Sequence, residues 1–272
     1  MGTNAAERWA EEASFFDNWA ERMARDLRPL DDAVVERYRK PRGLFLKEMA
    51  CSILGDLRGK KVLDVGCGDG ENSVLLARLG ARVTGIDVSP KAIELAGRRA
   101  AIDRVQHRTT FVCSPLETAD LPSGEFDVIW VDNVLHHLLH ALDQTMEALT
   151  RWARPGGRLM CIEPVNLNPT LRRIRFLVPV HTEMTPGERP LERQDLEVVE
   201  KYVPDLQRIH FNFLGRLLRF FLPPHYESAP PHKKALADAL LRIDRVVLSL
   251  PRLETLGGMC LLYGQAPYGI DR

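Results

Sequence analysis

Apolar and polar positions follow two different periods along this chain, and the change between them divides it. From residue 4 to about residue 54, apolar side chains recur every three or four positions among charged residues, which predicts amphipathic helices interrupted near Pro41. From residue 60 to about residue 165, short apolar runs alternate with stretches of helical spacing. Such alternation is typical of an α/β fold, in which a parallel sheet is covered by helices on both faces.

Six apolar runs are predicted to be strands, five of them in the alternating region. They cover residues 61–65, 81–86, 110–113, 126–131, 159–162 and 259–263. The stretches between these strands are long enough for helices and end in turn residues, as in a doubly wound sheet.

The pattern loses its regularity between residues 165 and 255, where two segments, 214–222 and 236–250, mix apolar with basic residues. Three interpretations are open for these segments: core helices, the wall of an apolar substrate pocket, or a membrane-surface contact. We favour core helices. We therefore divide the chain into four parts. They are an N-terminal helical cap (1–55), a Rossmann-like core (56–165), an insertion predicted to cover the mouth of the site (166–257) and a terminal core strand with a tail (258–272).

Composition and charge narrow the classes of function. The chain has 272 residues, 45% of them hydrophobic, and its 37 Lys and Arg balance its 37 Asp and Glu. A basic excess that would hold a nucleic-acid backbone is absent, so we expect no nucleic-acid partner. No apolar run reaches the roughly 18–20 residues that span a bilayer, so we expect no stable membrane insertion. Five scattered cysteines, expected to be buried and reduced, and the lack of a signal peptide favour the cytoplasm.

A glycine-rich loop between the first predicted strand and the next helix is the main candidate for ligand binding. Gly66, Gly68 and Gly70 would let a ligand approach the backbone at a helix N-terminus. Their spacing differs from the GxGxxG of most dinucleotide sites. Asp64 would repel a pyrophosphate but attract an ammonium group. Asp87 ends the second strand, where a carboxylate can accept two hydrogen bonds from a ribose diol.

These residues belong to a series of motifs that resembles the class I S-adenosylmethionine-dependent methyltransferases, in the branch that acts on small molecules (type 11-like). The motifs are VLDVGCGDG at 62–70, GIDVS at 85–89, LP at 121–122, FDVIWVDNVLHHL at 126–138 and RPGGRLMCIEP at 154–164. The resemblance implies a seven-stranded, mostly parallel, doubly wound Rossmann-like sheet with a final antiparallel strand near 258–265. It also implies S-adenosyl-L-methionine as the cofactor and a small-molecule methyl acceptor, for which the apolar segments favour a lipophilic compound.

The same resemblance implies roles for the residues of the cofactor site. Gly66, Gly68 and Asp64 would hold the methionine part, and Asp87 the ribose. The family's usual acidic residue near the adenine amine is missing after the third strand. Val88 would pack on the adenine, and the adenine amine would be contacted by Ser114, the Leu116 backbone or Glu117. Asp132 and Asn133 would lie beside the sulfonium and the transferred methyl group.

Adjacent histidines follow the fourth strand and are the candidates for catalysis. Beside a methyl donor, a neutral imidazole could accept the proton of a hydroxyl acceptor and would titrate in the neutral range. His137 is favoured over His136, because the family's motif keeps its histidine there; packing is the alternative role. No metal site is expected from this pair with His140, since no cysteine lies nearby and no carboxylate completes the HxxxH pattern.

Acidic residues further along the chain have weaker signals. Glu163 ends the fifth strand, where it would either orient a substrate or pair with an arginine. In the irregular stretch that follows, His181, Glu183 and Glu188 are each typical of a surface position.

Three other functions are kept as alternatives. A protein that binds S-adenosylmethionine without catalysis would keep the same glycines and acids. An NAD-dependent oxidoreductase is disfavoured by the glycine spacing and by Asp64. A nucleic-acid amino-methyltransferase is disfavoured because the fourth strand is followed by Asp132-Asn133-Val134-Leu135 rather than by a proline-aromatic loop. No sequence feature indicates an oligomeric state.

Overall fold

A computed structural model describes residues 5–168, 170, 188–223 and 226–267. Seven strands form one sheet in the order β3-β2-β1-β4-β5-β7-β6. Strands β1 to β5 pair in parallel, and β7 runs antiparallel to both β5 and β6. The strands are β1 (Lys61–Val65), β2 (Arg82–Asp87), β3 (Thr109–Cys113), β4 (Phe126–Asp132), β5 (Ala153–Pro164), β6 (Gln207–Phe211) and β7 (Met259–Gln265).

Helices cover both faces of the sheet. The helices of the described residues are α1 (Ala5–Met23), α2 (Asp32–Arg39), α3 (Leu46–Leu54), α4 (Glu71–Arg78), α5 (Pro90–Ile102), α6 (Leu142–Trp152), α7 (Arg193–Tyr202) and α8 (Pro231–Leu248). One apolar cluster packs α6 and α7 against the sheet, and another packs α2, α3 and α4 against its opposite face. Because the central strands are buried on both faces, they consist of nearly continuous apolar residues.

The predicted doubly wound, mostly parallel sheet of seven strands is confirmed, and so is the antiparallel strand at its end. Six of the strands lie where the apolar runs are. The seventh, Gln207–Phe211, has a polar and charged sequence, since it lies at the edge of the sheet and is buried only in part. The division into cap, core, insertion and tail stays a prediction.

Helix α1 lies along the carboxyl end of the sheet because specific contacts tie it there. The Ser89 hydroxyl donates a hydrogen bond of 2.5 Å to Asp17 Oδ1. Arg8 forms a 3.0 Å ion pair with Glu117, and Ala20 is buried among residues of α5. The N-terminal helix is thus fixed next to the ends of the central strands.

The cysteines agree with the sequence prediction at four of their five positions. All five are free thiols; Cys51, Cys67, Cys161 and Cys260 are buried, as expected. The expectation is wrong for Cys113, which is exposed because β3 is an edge strand. None of the described helices is both long enough and apolar enough to cross a membrane.

Candidate functional site

A cavity of about 270 Å³ opens at the carboxyl ends of β1, β2 and β4, under helix α1. This is the edge at which open α/β sheets bind ligands. Its wall contains ten of the twelve residues predicted to contact the cofactor or to act in catalysis: Gly66, Gly68, Asp87, Val88, Ser114, Leu116, Glu117, Asp132, Asn133 and His137. The other two, Asp64 and His136, are not part of the wall.

The glycine loop approaches the cavity with backbone only. Gly66 has a φ of +60°, and a Cβ atom there would lie 2.5 Å from Cγ2 of Val134. A side chain would therefore strain the backbone and collide with the loop after β4. The loop leaves room for a ligand against its peptide groups.

Asp87 connects the glycine loop with the loop that follows β2. Its Oδ2 accepts a 2.9 Å hydrogen bond from the Gly68 N–H, and its Oδ1 accepts one of the same length from the Ser89 N–H. Burial raises the pKa of this carboxyl, while the backbone N–H groups oppose the shift. Each oxygen keeps a lone pair for a further donor on the cavity side.

Asp64 lies behind the glycine loop and is only 1% exposed. Its Oδ2 accepts a 2.6 Å hydrogen bond from the Ser73 hydroxyl, whereas Oδ1 is buried without a partner. Burial raises the pKa of Asp64 to about 7. Its direct contact with an amine stays a prediction, but its unpartnered oxygen is an acceptor that a cationic group would satisfy.

Asp132 is held by side chains that the sequence analysis did not identify. Its Oδ2 accepts hydrogen bonds from Lys47 Nζ at 2.8 Å and from Asn72 Nδ2 at 2.9 Å. Although burial alone would lower the pKa of Lys47, the Asp132 carboxylate raises it. Because Lys47 lies in α3, far from the methyltransferase-like motifs, sequence spacing carries no signal for this contact.

The far end of the cavity contains Ser114, Leu116 and Glu117, the candidates for the adenine contact. Glu117 is bound by Arg8, and Glu12 of α1 joins it in the wall. Burial, reinforced by the Glu117 charge, raises the pKa of Glu12 to about 7. A helix with no recognisable motif therefore supplies an acidic group at the end where the family's usual acid is missing.

Aromatic side chains of α1 cover the cavity. Trp9, Phe16 and Trp19 lie in its wall, and Trp19 would lie 3.6 Å from a Cβ atom at Gly68. Phe15 instead lies outside, packed edge-to-face on Phe16 with ring centroids 5.2 Å apart. The amphipathic helix thus places three large rings where they exclude water from the ligand.

Glu163 organises the turn that carries the histidines. It is fully buried, and its Oε1 accepts hydrogen bonds from the N–H groups of Val134 (2.9 Å) and Leu135 (2.8 Å). Its Oε2 lies 2.8 Å from His136 Nδ1. Among the described residues, the Glu163 carboxylate thus binds the backbone and His136. The alternative pairing with an arginine of the segment after β5 stays a prediction, since most arginines of that segment lie outside the described residues.

His137 faces the cavity and contacts the ring of Phe16, with centroids 5.5 Å apart. Its Nδ1 lies 2.8 Å from Glu188 Oε1, in a direction poorly aligned for a hydrogen bond. Burial, followed by repulsion from His136, lowers the pKa of His137 to about 4. The imidazole is therefore neutral at pH 7, but it titrates well below the neutral range that the sequence analysis expected.

Glu188 is not the surface residue that the sequence suggested, since its side chain is 6% exposed. Donor atoms of His136, His137 and Glu188 lie within 4.8 Å of one another, a distance that a metal ion could bridge. His140 does not belong to this group. His181 and Glu183 lie outside the described residues.

Known proteins resemble the chain in its central part. A family model described as "Methyltransferase domain" matches residues 63–161. The mitochondrial ubiquinone biosynthesis O-methyltransferase of Schizosaccharomyces pombe is 41% identical over 103 residues, which are 38% of this chain and 37% of that protein. The 27-O-demethylrifamycin SV methyltransferase of Amycolatopsis mediterranei is 34% identical over 127 residues, covering 43% of this chain and 45% of that protein. The match thus spans less than half the length of these relatives.

Solved structures resemble the chain over most of its length. Geranyl diphosphate C-methyltransferase from Streptomyces coelicolor A3(2) has a TM-score of 0.54 at 15% identity, and the match covers 98% of this chain and 100% of that one. The cyclase SpnF has a TM-score of 0.52 at 23% identity, with 84% and 85% covered. At these identities the likeness shows a shared fold and no more.

Proposed function

We propose that the chain is a class I S-adenosylmethionine-dependent methyltransferase, which the family-model match over residues 63–161 supports. In this proposal it transfers a methyl group from S-adenosyl-L-methionine to a hydroxyl of a small, lipophilic organic acceptor. Of the two relatives described above, one is named an O-methyltransferase and the other a methyltransferase of a 27-O-demethyl compound, which supports oxygen as the methylated atom. The balanced net charge supports a small molecule over a nucleic acid. The free cysteines support a reducing, cytoplasmic compartment.

One observation carries the proposal: a side-chain-free loop and a carboxylate meet in one cavity. Gly66 leaves space that any Cβ atom would fill, and Asp87 offers two oxygens beside it. Adenosine carries a ribose diol that fits this carboxylate, and the amino-acid part carries an ammonium that suits the acidic surroundings. The residues therefore fit S-adenosylmethionine better than a dinucleotide, whose diphosphate the nearby acids would repel.

When bound, the cofactor supplies an electrophilic methyl group on a sulfonium. The chain's own part is to align the acceptor with this methyl group, to exclude water and to take up a proton. The rings of Trp9, Phe16 and Trp19 exclude water at the mouth. His137 is neutral near pH 7, so one ring nitrogen can accept the acceptor's hydroxyl proton as its oxygen attacks.

Buried carboxylates keep the turn before this base in place. Glu163 binds the backbone N–H groups of Val134 and Leu135 and the ring of His136. Glu188 contacts His137 Nδ1. Because Nδ1 lies 2.8 Å from the Glu188 carboxylate, we assign Nε2 as the ring nitrogen that contacts a substrate. His136 has a positioning role in this scheme, since its Nδ1 is engaged by Glu163.

Cofactor binding is tested by calorimetry with S-adenosylmethionine and the Asp87→Ala variant. We expect affinity to fall by roughly 1.5–3 kcal/mol, because charge-assisted hydrogen bonds to the ribose are lost. Asp120→Ala, at an exposed acid, is the matched control. Circular dichroism shows whether both variants fold; unchanged affinity in folded Asp87→Ala would contradict the ribose contact.

Turnover is tested separately with cofactor carrying a labelled methyl group and a panel of lipophilic phenols and alcohols. Label in the organic product, together with S-adenosylhomocysteine formation, supports methyl transfer. Tight cofactor binding without transfer to any acceptor would favour the non-catalytic alternative.

A further inference from the structure

Exposed apolar side chains are concentrated in one part of the molecule. Among the described residues, nine large hydrophobic side chains are exposed, and seven of them lie between residues 217 and 253. Phe220 is 72% exposed and Val246 is 63% exposed. The seven are Leu217, Phe220, Leu236, Ile243, Val246, Leu250 and Leu253, which we call the outer apolar face.

Helix α8 is apolar on two opposite sides. Ala237, Leu241 and Leu248 are buried toward the body of the protein. At about 100° per residue, Leu236, Ile243 and Val246 fall within an arc of about 80° on the other side. A helix on the surface of a globular protein normally carries polar residues on that side. The short helix Gly215–Phe220 packs against α8 and adds Leu217 and Phe220 to the same region.

The segment that carries the outer apolar face has an excess of basic residues. Residues 214–253 contain seven Lys and Arg and three Asp and Glu, an excess of four positive charges in a chain whose net charge is zero. All three acids are engaged with other groups. Glu227 pairs with Arg37, Asp238 with Arg42, and Asp244 accepts backbone N–H groups of Asn212 and Leu214.

We propose that the outer apolar face binds the surface of an anionic phospholipid bilayer, with its apolar side chains in the headgroup region. Exposed apolar residues beside basic ones are the combination that holds amphipathic helices at such surfaces. A second copy of the chain is a poorer occupant, because a two-fold interface would set the basic residues of both copies against each other. None of these residues lines the cavity, so the proposal does not depend on methyl transfer.

The test is co-sedimentation of the full chain with vesicles of phosphatidylcholine, either alone or mixed with phosphatidylglycerol. We expect binding to the mixed vesicles that weakens as salt is added, since basic residues near an anionic surface are screened. The variant Phe220→Ser/Val246→Ser should bind at least about tenfold more weakly, because it lacks two apolar side chains that would transfer from water into the bilayer.

The matched control is Met23→Ser/Ile102→Ser, which removes the two exposed hydrophobic side chains outside the outer apolar face. It should bind vesicles like the unchanged protein. Equal binding by the two double variants, or no binding of the unchanged protein to the anionic vesicles, would overturn the proposal. So would a dimer in sedimentation velocity that only Phe220→Ser/Val246→Ser dissociates, since the occupant would then be a second copy.

Discussion

Two parts of the cavity, the one at the glycine loop and the one at the histidines, differ in the groups that form them; we call them the glycine-loop end and the histidine end. The glycine-loop end consists of backbone and carboxylates that follow one another closely along the chain, from Asp64 to Ser89. The histidine end consists of side chains whose positions depend on distant residues, with Glu163 under the turn and Glu188 beside the ring. The first end is specified by local sequence and the second by tertiary contacts, and substitutions should affect them differently.

The largest effect is expected at the glycine-loop end. Gly66→Ala forces a side chain onto a φ of +60° and into Val134, so we expect calorimetry to detect no cofactor binding. Gly97→Ala is the control, since nothing lies within 4 Å of its Cβ position in α5. It should keep the affinity and gain up to ~1 kcal/mol of stability, because alanine is the better helix former. Wild-type affinity in Gly66→Ala would mean that the loop does not touch the cofactor.

At the histidine end, His137→Ala should reduce kcat by roughly 10²–10⁴-fold and leave cofactor affinity unchanged, as expected for loss of a general base. The rate of the unchanged enzyme should fall as the pH drops through about 4, because protonated His137 cannot accept a proton. This acid limb should be missing from the variant. Initial rates against pH measure both effects, with His232→Ala, at an exposed histidine, as control.

Metal removal sharpens the assignment of the base. If His137 acts through its free nitrogen, dialysis against EDTA should leave kcat unchanged. Loss of activity with EDTA and recovery with a divalent cation would instead assign His136, His137 and Glu188 to that cation.

A smaller effect is expected from the support under the histidines. Glu163→Gln replaces one acceptor oxygen by an amide NH₂. Because the side chain is fully buried, at least one of its hydrogen bonds is lost without water to replace it. We expect a loss of about 1–3 kcal/mol in the free energy of unfolding. The fall in kcat should be smaller than for His137→Ala. Denaturant titration measures the stability, and Glu94→Gln, at an exposed acid, should behave like the unchanged protein.

A separate effect, on stability rather than on activity, concerns the pH dependence that Asp64 contributes. Its pKa of about 7 in the fold exceeds the ordinary value of 3.8, so folding favours its protonated form. This contribution is fully present below about pH 4 and is lost as the pH rises through about 7. The Tm of the ligand-free protein should therefore decline over this window more steeply than that of Asp64→Asn, which cannot ionise. Parallel curves would contradict the raised pKa.

The sequence predicted the sheet and the glycine-loop end because their signals are local. A central parallel strand must be apolar on both faces, and a loop that approaches a ligand must contain glycine at Gly66. Edge strand β6 lacked such a signal, since an edge strand tolerates the polar sequence of Gln207–Phe211.

The contacts that the sequence did not reveal join separate parts of the chain. Lys47 reaches Asp132 from α3, and Glu188 reaches His137 from the irregular stretch after β5. Neither Lys47 nor Glu188 belongs to a recognisable motif, so only the folded chain shows that Lys47 contacts Asp132 and that Glu188 contacts His137. The pKa of His137 could not be predicted either, because the residues that bury its ring, such as Phe16 and Glu188, are distant in the sequence.

The charge of the cavity wall has a consequence for how the site empties. Four carboxylates line it, and no Lys or Arg among the described residues does: the four are Glu12, Asp87, Glu117 and Asp132. Glu117 and Asp132 are paired with Arg8 and Lys47, and Glu12 has a pKa of about 7, so Asp87 is the wall carboxylate without a basic partner among the described residues. Under the proposed function, a sulfonium cofactor would bring a positive charge to this acidic wall and would lose that charge with its methyl group. The spent, neutral thioether is attracted less than the fresh cofactor that replaces it. Under the proposed function, the wall would therefore retain the cofactor more strongly than its demethylated by-product.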